Sequence, residues 1–345
     1  MLDNNMNYRF EIGIEEEEWS NFLQNNTQAN IFQSLEYYKS QINNKSSEPI
    51  TFFVYENEKI VGLALGIIFS NGGRLGKRLT SRAIIIGGPV LSDENDIAIL
   101  GYFLNEIKKY LKNKVVYLEF RNIWDTSIYK NIFIDNGFSY EEHLDILIDL
   151  RKTEDELWNS MTKDRKKSIN KGQRELEIRI IDEQSDYQID LIYNLLKIVY
   201  NRVKLPLPSK MFFSSIIRNL DPLGYIKIFG AYRDSKLIGV RLVFCYNKMI
   251  YDWYAGADDD FLEYRPNDIL IWNILKWGGE NGYEVFDFGG AGKPNIPYGV
   301  RDYKLKFGGQ LVCFGRYQYV FKPIIMTFGR LAIKIKDGLL KHTKR

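Results

Sequence analysis

Residues 52–69 read FFVYENEKIVGLALGIIF, and residues 229–246 read FGAYRDSKLIGVRLVFCY. Tyr55 matches Tyr232, Lys59 matches Lys236 and Gly62 matches Gly239, each pair 177 residues apart, and Ile60-Val61 matches Leu237-Ile238. Each block is an apolar strand, a short polar turn and a second apolar strand, which is the pattern of a hairpin. A helical pattern and another apolar strand follow each block, at 98–111 and 115–120 in the first half and at 268–281 and 284–288 in the second. A period this long is far beyond a solenoid unit, so it predicts two copies of one α/β (α+β) domain.

The bulk of the chain agrees. A length of 345 residues suggests two domains, and 45% apolar residues are ample for packed cores. Formal net charge is only +3, which excludes a general polyelectrolyte role and leaves any attraction for anions to local patches. Cys245 and Cys313 lie in apolar strand patterns and are expected to be buried thiols in a reducing compartment. Their spacing offers no zinc site, so no metal is expected. The histidines are His143 and His342, the latter in the tail, which leaves little room for a Ser-His or Cys-His pair, and no G-x-S-x-G elbow is present. The acidic start (Glu15 to Glu18) does not read as a signal peptide, and no run of about 18 uncharged apolar residues is long enough to span a bilayer. A cytoplasmic location is expected, with peripheral contact at the inner face of the cell membrane if the basic tail lies on lipid.

Along the chain, 14–26 reads as an acidic amphipathic helix, and Ser34 reads as the N-cap of a helix carrying Tyr37, Tyr38 and Lys39. The segment 70–81, with Arg74, Lys77 and Arg78, reads as a Gly-rich basic loop. A short helix over 153–161 precedes TKDRKKSINKGQREL (162–176), a charge run that reads as a solvated helix face or as a contact for a phosphate-bearing substrate or tRNA backbone. A long amphipathic helix over 187–203 ends before the rigid turn LPLP (205–208), so Arg202 and Lys204 sit at its C-terminus, where dipole compensation alone would account for them. The tail from 320 repeats apolar residues at helical spacing (Ile325, Phe328, Leu331, Ile335, Leu339) among many lysines and arginines. It is expected to be a basic amphipathic helix, packed on the protein or lying on an anionic membrane surface.

The stretch with most chemistry in it is YEVFDFGGAGKPNIPYGVRDYKLKFGGQL, residues 283–311. A buried strand (285–288) ends in Gly289-Gly290, where the absence of a Cβ lets a backbone or ligand come close. Beyond the proline loop, Arg301, Lys304 and Lys306 stand among Tyr298, Tyr303 and Phe307, a wall suited to an anionic, partly flat ligand. The plainer reading is a strand, a loop and a hairpin with ordinary surface charges.

The strand–turn–strand repeat, the QSLEYYK segment (33–39), the TKDRKKSINKGQRE helix start and the FDFGG…GVRDYKLKFGG block together resemble the Fem family over nearly the whole chain. These are the aminoacyl-tRNA-dependent transferases that build peptidoglycan cross-bridges, within the wider set of tandem GNAT-fold N-acyltransferases. The resemblance implies two tandem GNAT-like domains with mixed central sheets flanked by helices, and no coiled-coil arm. Residues 1–150 plus a returning C-terminal helix (318–345) would form domain 1, and residues 151–317 domain 2. It implies aminoacyl-tRNA as donor, a nucleotide- or lipid-linked cell-envelope precursor as acceptor, and no cofactor.

Residue by residue, the resemblance makes Tyr303-Lys304 the family's aromatic-lysine pair. Lys304 would hold the tRNA end or stabilise developing charge, against the alternative of a surface lysine on a strand. Lys39 would meet a phosphate or carboxylate of the acceptor, and Arg202 would face the same cleft. Tyr254 would line the cleft or belong to the core. Asp287 would orient the attacking amine, serve as base, or cap a loop through backbone N–H groups, the last being the commoner role of a buried strand-end aspartate. Arg301 completes the binding set.

A CoA-dependent GNAT holds pyrophosphate on free amides at a helix N-terminus after a Q/R-x-x-G-x-G/A loop. Here the corresponding segments read EYRPNDIL (263–270) and SDENDIAIL (92–100). Proline removes a donor and aspartate repels phosphate, so a donor other than CoA is favoured. Two further readings stay open: an N-acyltransferase using acyl-CoA or an acyl carrier on an amino sugar or polysaccharide precursor, and a non-catalytic binding protein for a cell-envelope precursor.

Overall fold

The structure, a computed structural model, describes residues 8–13, 16–24, 26–42, 44, 47–70, 73–93, 96–182 and 185–329. The first half contributes β1 (Tyr8–Ile12), α1 (Glu16–Gln24), α2 (Leu35–Gln41), β2 (Ser47–Glu56), β3 (Lys59–Phe69), α3 (Arg74–Thr80), β4 (Arg82–Ile86), β5 (Val90–Leu91), α4 (Ile97–Leu111), β6 (Tyr117–Arg121), α5 (Lys130–Asp135) and β7 (Ser139–Glu141). The second contributes β8 (Leu144–Asp149), α6 (Glu154–Ser160), α7 (Lys163–Glu175), β9 (Glu177–Ile180), α8 (Asp186–Val203), α9 (Lys210–Leu220), β10 (Ile226–Arg233), β11 (Lys236–Tyr246), β12 (Met249–Ala257), α10 (Pro266–Glu280), β13 (Val285–Asp287), α11 (Gly299–Leu305) and β14 (Gln310–Cys313), before β15 (Arg316–Val320).

Two compact units result. One holds residues 1–38, 44–141 and 314–345, the other 39–43 and 142–313. Their sheets run β1-β2-β3-β4-β6-β15-β7, with β5 added on β3, and β9-β10-β11-β12-β13-β8-β14. Both are mixed: β4 lies parallel to β6 and β12 parallel to β13, while the hairpins are antiparallel.

The sequence repeat is visible atom by atom. Asn57-Glu58 and Asp234-Ser235 all take positive φ, the geometry of a two-residue type I′ turn whose twist matches the flanking strands. Each hairpin slips register at the same place, between Val54 and Tyr55 and between Ala231 and Tyr232. The repeated glycine has a packing reason in both copies. A Cβ on Gly62 would meet the Phe103 ring of α4 at 3.2 Å, and one on Gly239 would lie 2.9 Å from Pro266 Cβ at the start of α10. Those helices supply the main apolar faces: Ile99, Leu100, Phe103, Leu104 and Ile107 in the first unit, Leu270, Ile271, Ile274 and Leu275 in the second.

In the first unit the QSLEYYK segment is anchored by Gln33. Its fully buried side chain accepts from Leu65 N–H (2.7 Å) and donates to the Leu65 and Ile86 carbonyls (3.1 and 2.7 Å), bridging β3 and the end of β4. Ser34 caps α2 as expected, its hydroxyl accepting from Tyr37 N–H at 3.1 Å.

Several expectations are corrected. The 70–81 segment is not only a loop, since α3 occupies Arg74–Thr80. The halves divide near 141/142 rather than 150/151, because β8 pairs with β13 and β14 and so belongs to the second sheet. The C-terminal element does not begin as a helix at 318: Arg316–Val320 is a strand between β6 and β7, and helix follows over 323–329. In that helix Ile325 is half-buried but Phe328 is exposed, and Leu331, Ile335 and Leu339 lie outside the described residues. The described residues hold no helix long and apolar enough to cross a membrane, and their longest helix is α8, at 18 residues.

The thiols also differ from expectation. Cys245 is buried and burial pushes it up to about 12, whereas Cys313, at the end of β14 beside the sheet edge, is exposed. A thiolate is the reacting species. Ellman's reagent on the native protein at neutral pH should therefore titrate one thiol quickly, and Cys313→Ser should abolish that phase while Cys245→Ser leaves it.

Candidate functional site

The C-terminal end of β13 and the N-terminal start of its antiparallel neighbour β8 meet at the Gly289-Gly290 turn. β13 delivers Asp287, which is completely enclosed, and its Oδ1 accepts from Gly289 N–H at 2.7 Å. The neighbouring strand β8 delivers Asp145, whose Oδ1 accepts from Gly290 N–H (2.8 Å) and Ile146 N–H (2.7 Å). Both glycines have positive φ, and a Cβ on Gly289 would sit 2.8 Å from the Asp252 carbonyl. Only glycine fits there without moving β12.

Lys304 reaches the same turn from α11. Its Nζ donates to the carbonyls of Phe288 and Gly290, both at 2.7 Å. The lysine is half-buried and stands on a helix, not on a surface strand as the plainer reading had it. Behind it lies a second charged pair, Arg241 of β11 and Asp252 of β12, 3.3 Å apart and with side chains each 8% exposed. Trp253 is the extra residue of a β-bulge, since Val243 faces Asp252 and Leu242 faces Tyr254. Bulges of this kind re-aim side chains beside functional sites.

The electrostatics follow from enclosure. Burial pushes the Lys304 ammonium down, opposed chiefly by Asp252 and Asp145. Burial raises Asp252 against the pull of Arg241, and raises Asp145 against its bonds to the Gly290 and Ile146 amides. Asp287 is driven well above the usual carboxylate range, by burial first and the Asp145 charge second.

A second cluster braces α11. Arg165 of α7 forms a buried ion pair with Asp268 of α10, their side chains 6% and 7% exposed. The Arg165 guanidinium lies over the Tyr303 ring (4.2 Å) and the Phe307 ring (4.4 Å). Tyr303 donates its hydroxyl to Asp268 at 2.8 Å, and burial, with Asp268 next, pushes the phenol upward. Asp268 is in the first turn of α10, after Pro266. The helix N-terminus that would otherwise attract an anion therefore already carries the protein's own carboxylate.

The other singled-out residues fall differently. Arg301 ties down the proline loop, donating to the carbonyls of Lys293 (2.7 Å) and Ile296 (2.9 Å). Tyr254 packs on Phe213 (4.8 Å) and Tyr200 (5.5 Å). Arg202, at the end of α8, pairs with Asp259 in solvent, and Lys39 is exposed on α2. Lys304, Tyr303, Asp287 and Arg301 are thus brought together around residues 287–304, while Arg202 is engaged elsewhere.

Sequence reading missed Arg165, Asp145, Arg241 and Asp252. Arg165 had a signal: with Ile169 and Gly172 it forms the buried stripe of α7 at i, i+4, i+7, so the charge run has one inward-facing member. The described residues contain no cluster of acidic, histidine and cysteine side chains able to hold a metal.

Comparison with known proteins agrees with this architecture. Residues 159–305 match the family described as an acetyltransferase (GNAT) domain, inside the second unit. The solved structure of FemX superposes with a TM-score of 0.73 at 14% identity, over 92% of this chain and 99% of that one. The chain has the tandem GNAT fold and is similar to the Fem proteins. L-PGS from Bacillus licheniformis shares the fold at a TM-score of 0.58 and 14% identity, over 93% of this chain and 98% of that one. In sequence, the Fem-like chain is 29% identical over 110 residues to a lipid II:glycine glycyltransferase of Staphylococcus epidermidis. That match spans 30% of this chain and about a quarter of the relative's length (26%).

Breaking the brace has a definite expected effect. Arg165→Ala leaves Asp268 buried without its partner, which costs about 3–5 kcal/mol. Denaturant unfolding should show that loss, and Arg165→Lys should recover only part of it, because an ammonium lacks the planar fork that spans Asp268 and the two rings.

Proposed function

We propose that this chain is an acyltransferase that forms an amide between an activated aminoacyl group, carried as aminoacyl-tRNA, and a free amine on a peptidoglycan precursor. The observation that carries the choice of donor is the N-terminus of α10. Pro266 and Asp268 stand there, and Asp268 is engaged by Arg165 and Tyr303, so the helix start that would cradle the pyrophosphate of CoA lacks one N–H donor and carries a carboxylate. The FemX fold and the glycyltransferase stretch support the reaction class and a lipid-linked acceptor.

The chemistry is modest. The lone pair of the acceptor amine attacks the ester carbonyl carbon and a C–N bond forms. The tetrahedral intermediate collapses by breaking the C–O bond to the ribose, and the ribose oxygen leaves with the proton the amine gives up. An activated ester needs positioning and a stabilised oxyanion more than a strong base. An ammonium has three donors. Lys304 spends two on the Phe288 and Gly290 carbonyls, and the third serves the developing oxyanion or the tRNA terminus. Tyr303, engaged by Asp268, positions α11 and hence Lys304. Arg301 shapes the loop against which the ligand lies, and Tyr254 lines the site. Lys39 and Arg202 take the phosphate or carboxylate groups of acceptor and donor. The basic tail holds the enzyme at the cytoplasmic face of the membrane, where a lipid-linked acceptor resides.

The test offers purified protein labelled aminoacyl-tRNA in one tube and labelled acetyl-CoA in another, each with nucleotide-linked and lipid-linked muramyl-pentapeptide. Label should pass from tRNA to an acceptor, and Lys304→Ala should lower the rate by about 10²–10³-fold, the usual cost of removing one oxyanion donor. Transfer from acetyl-CoA alone would overturn the reading.

A further inference from the structure

The turn at 288–290 is held from both sides in a way that the transfer chemistry alone does not require. Its two amides are taken by two different carboxylates, Gly289 N–H by Asp287 and Gly290 N–H by Asp145. Its two outer carbonyls, of Phe288 and Gly290, are taken by Lys304. The lysine is therefore aimed by the turn, and the turn is aimed by the carboxylates.

Those carboxylates belong to adjacent antiparallel strands, with Asp287 opposite Leu147, so Asp145, two residues before Leu147, stands on the same face of the sheet as Asp287 and diagonal to it, and both side chains are buried. Two ionised carboxylates enclosed on one face of the sheet, on consecutive amides, repel each other, and neither has a donor to offer the other. Asp145 already accepts two amide N–H groups, which favour its charge. Asp287 is fully enclosed, and its Oδ2 meets no N–H or O–H donor among the described residues. A buried, undonated carboxylate oxygen beside a second carboxylate is the place for a proton.

We propose that Asp145 and Asp287 are positioning residues that share one proton, held on Asp287 and donated to Asp145, and that this pair fixes the Gly289-Gly290 turn on which Lys304 is seated. The arrangement leaves the enclosure close to neutral. Lys304 and Arg241 carry positive charge, Asp145 and Asp252 negative, and Asp287 none. His143 and Tyr251 also stand at the turn, the His143 Nε2 3.5 Å from where a Gly290 Cβ would lie and the Tyr251 hydroxyl 3.2 Å from where a Gly289 Cβ would lie. The role in catalysis rests on the aminoacyl-transfer reading; the shared proton does not.

The experiment has two readouts for that reason. Infrared spectra of the wild type at neutral pH should contain the C=O stretch of a buried carboxylic acid that survives transfer into heavy water with only a small shift, and Asp287→Asn should remove it. Asn is the isostere of the protonated acid, since its amide still donates to Asp145 and its oxygen still accepts from Gly289. In the transfer assay Asp287→Asn should keep kcat within about threefold, whereas Asp145→Ala and Asp287→Ala should lose about 100-fold in kcat with KM for the acceptor unchanged, the scale of a misplaced catalytic group. Absence of the acid band in the wild type would overturn the proposal, as would Asp287→Asn being as impaired as Asp287→Ala. If the wild type moves no aminoacyl group, the transfer reading fails while the infrared result still decides the shared proton.

Discussion

Taking a lysine out of water demands that its charge be met, and the second unit is organised around how Lys304 is met. Two backbone carbonyls receive the ammonium directly, while the side chains of Asp252, Asp145, Asp287 and Arg241 set the field around it. Backbone carbonyls can be presented that way only by a chain in unusual conformation, which is why the turn is Gly289-Gly290 with positive φ at both. A turn of that kind is floppy unless its amides are bonded. Asp287 and Asp145 bond them, and this in turn requires β8 to lie beside β13. One buried charge thereby accounts for a glycine pair, two acidic strand residues and a strand order.

The same logic explains why Tyr303 and Lys304 stand next to each other. Successive residues of a short helix point in different directions, so one can be sealed inside while the next faces the site. Tyr303 is sealed by Arg165 and Asp268, which come from the starts of two other helices. A seven-residue helix has little stability of its own, and this anchorage substitutes for length. The carboxylate that anchors it also occupies the α10 N-terminus, so a single residue, Asp268, both steadies α11 and discourages a pyrophosphate.

The fold was legible because its signals are local. Matching Tyr55, Lys59 and Gly62 to Tyr232, Lys236 and Gly239 found the duplicated hairpin, and the polar pairs at 57–58 and 234–235 carry the turn. The Lys304 neighbourhood was legible through glycine and aromatic spacing. Asp145 was not, because LDILID reads as an ordinary alternating strand, and only a pairing with a strand some 140 residues later makes its carboxyl a partner of Gly290. Arg165 was hidden in a run of six basic residues, where charge masks the buried stripe it shares with Ile169 and Gly172. The domain boundary was misplaced for the same reason as Asp145: strand neighbours far apart in sequence leave no periodic trace.

The strand order has a bearing on how the molecule is made. In the first sheet β7 pairs only with β15 among the described residues, and β15 also covers the edge of β6. A chain emerging from the ribosome can pair every strand of the second sheet once residue 313 is out, but it cannot finish the first sheet until residue 320 follows. The half synthesised first is thus completed last, and for the time it takes to make roughly half the protein it carries an open strand edge, the kind of surface that invites pairing with a neighbouring chain.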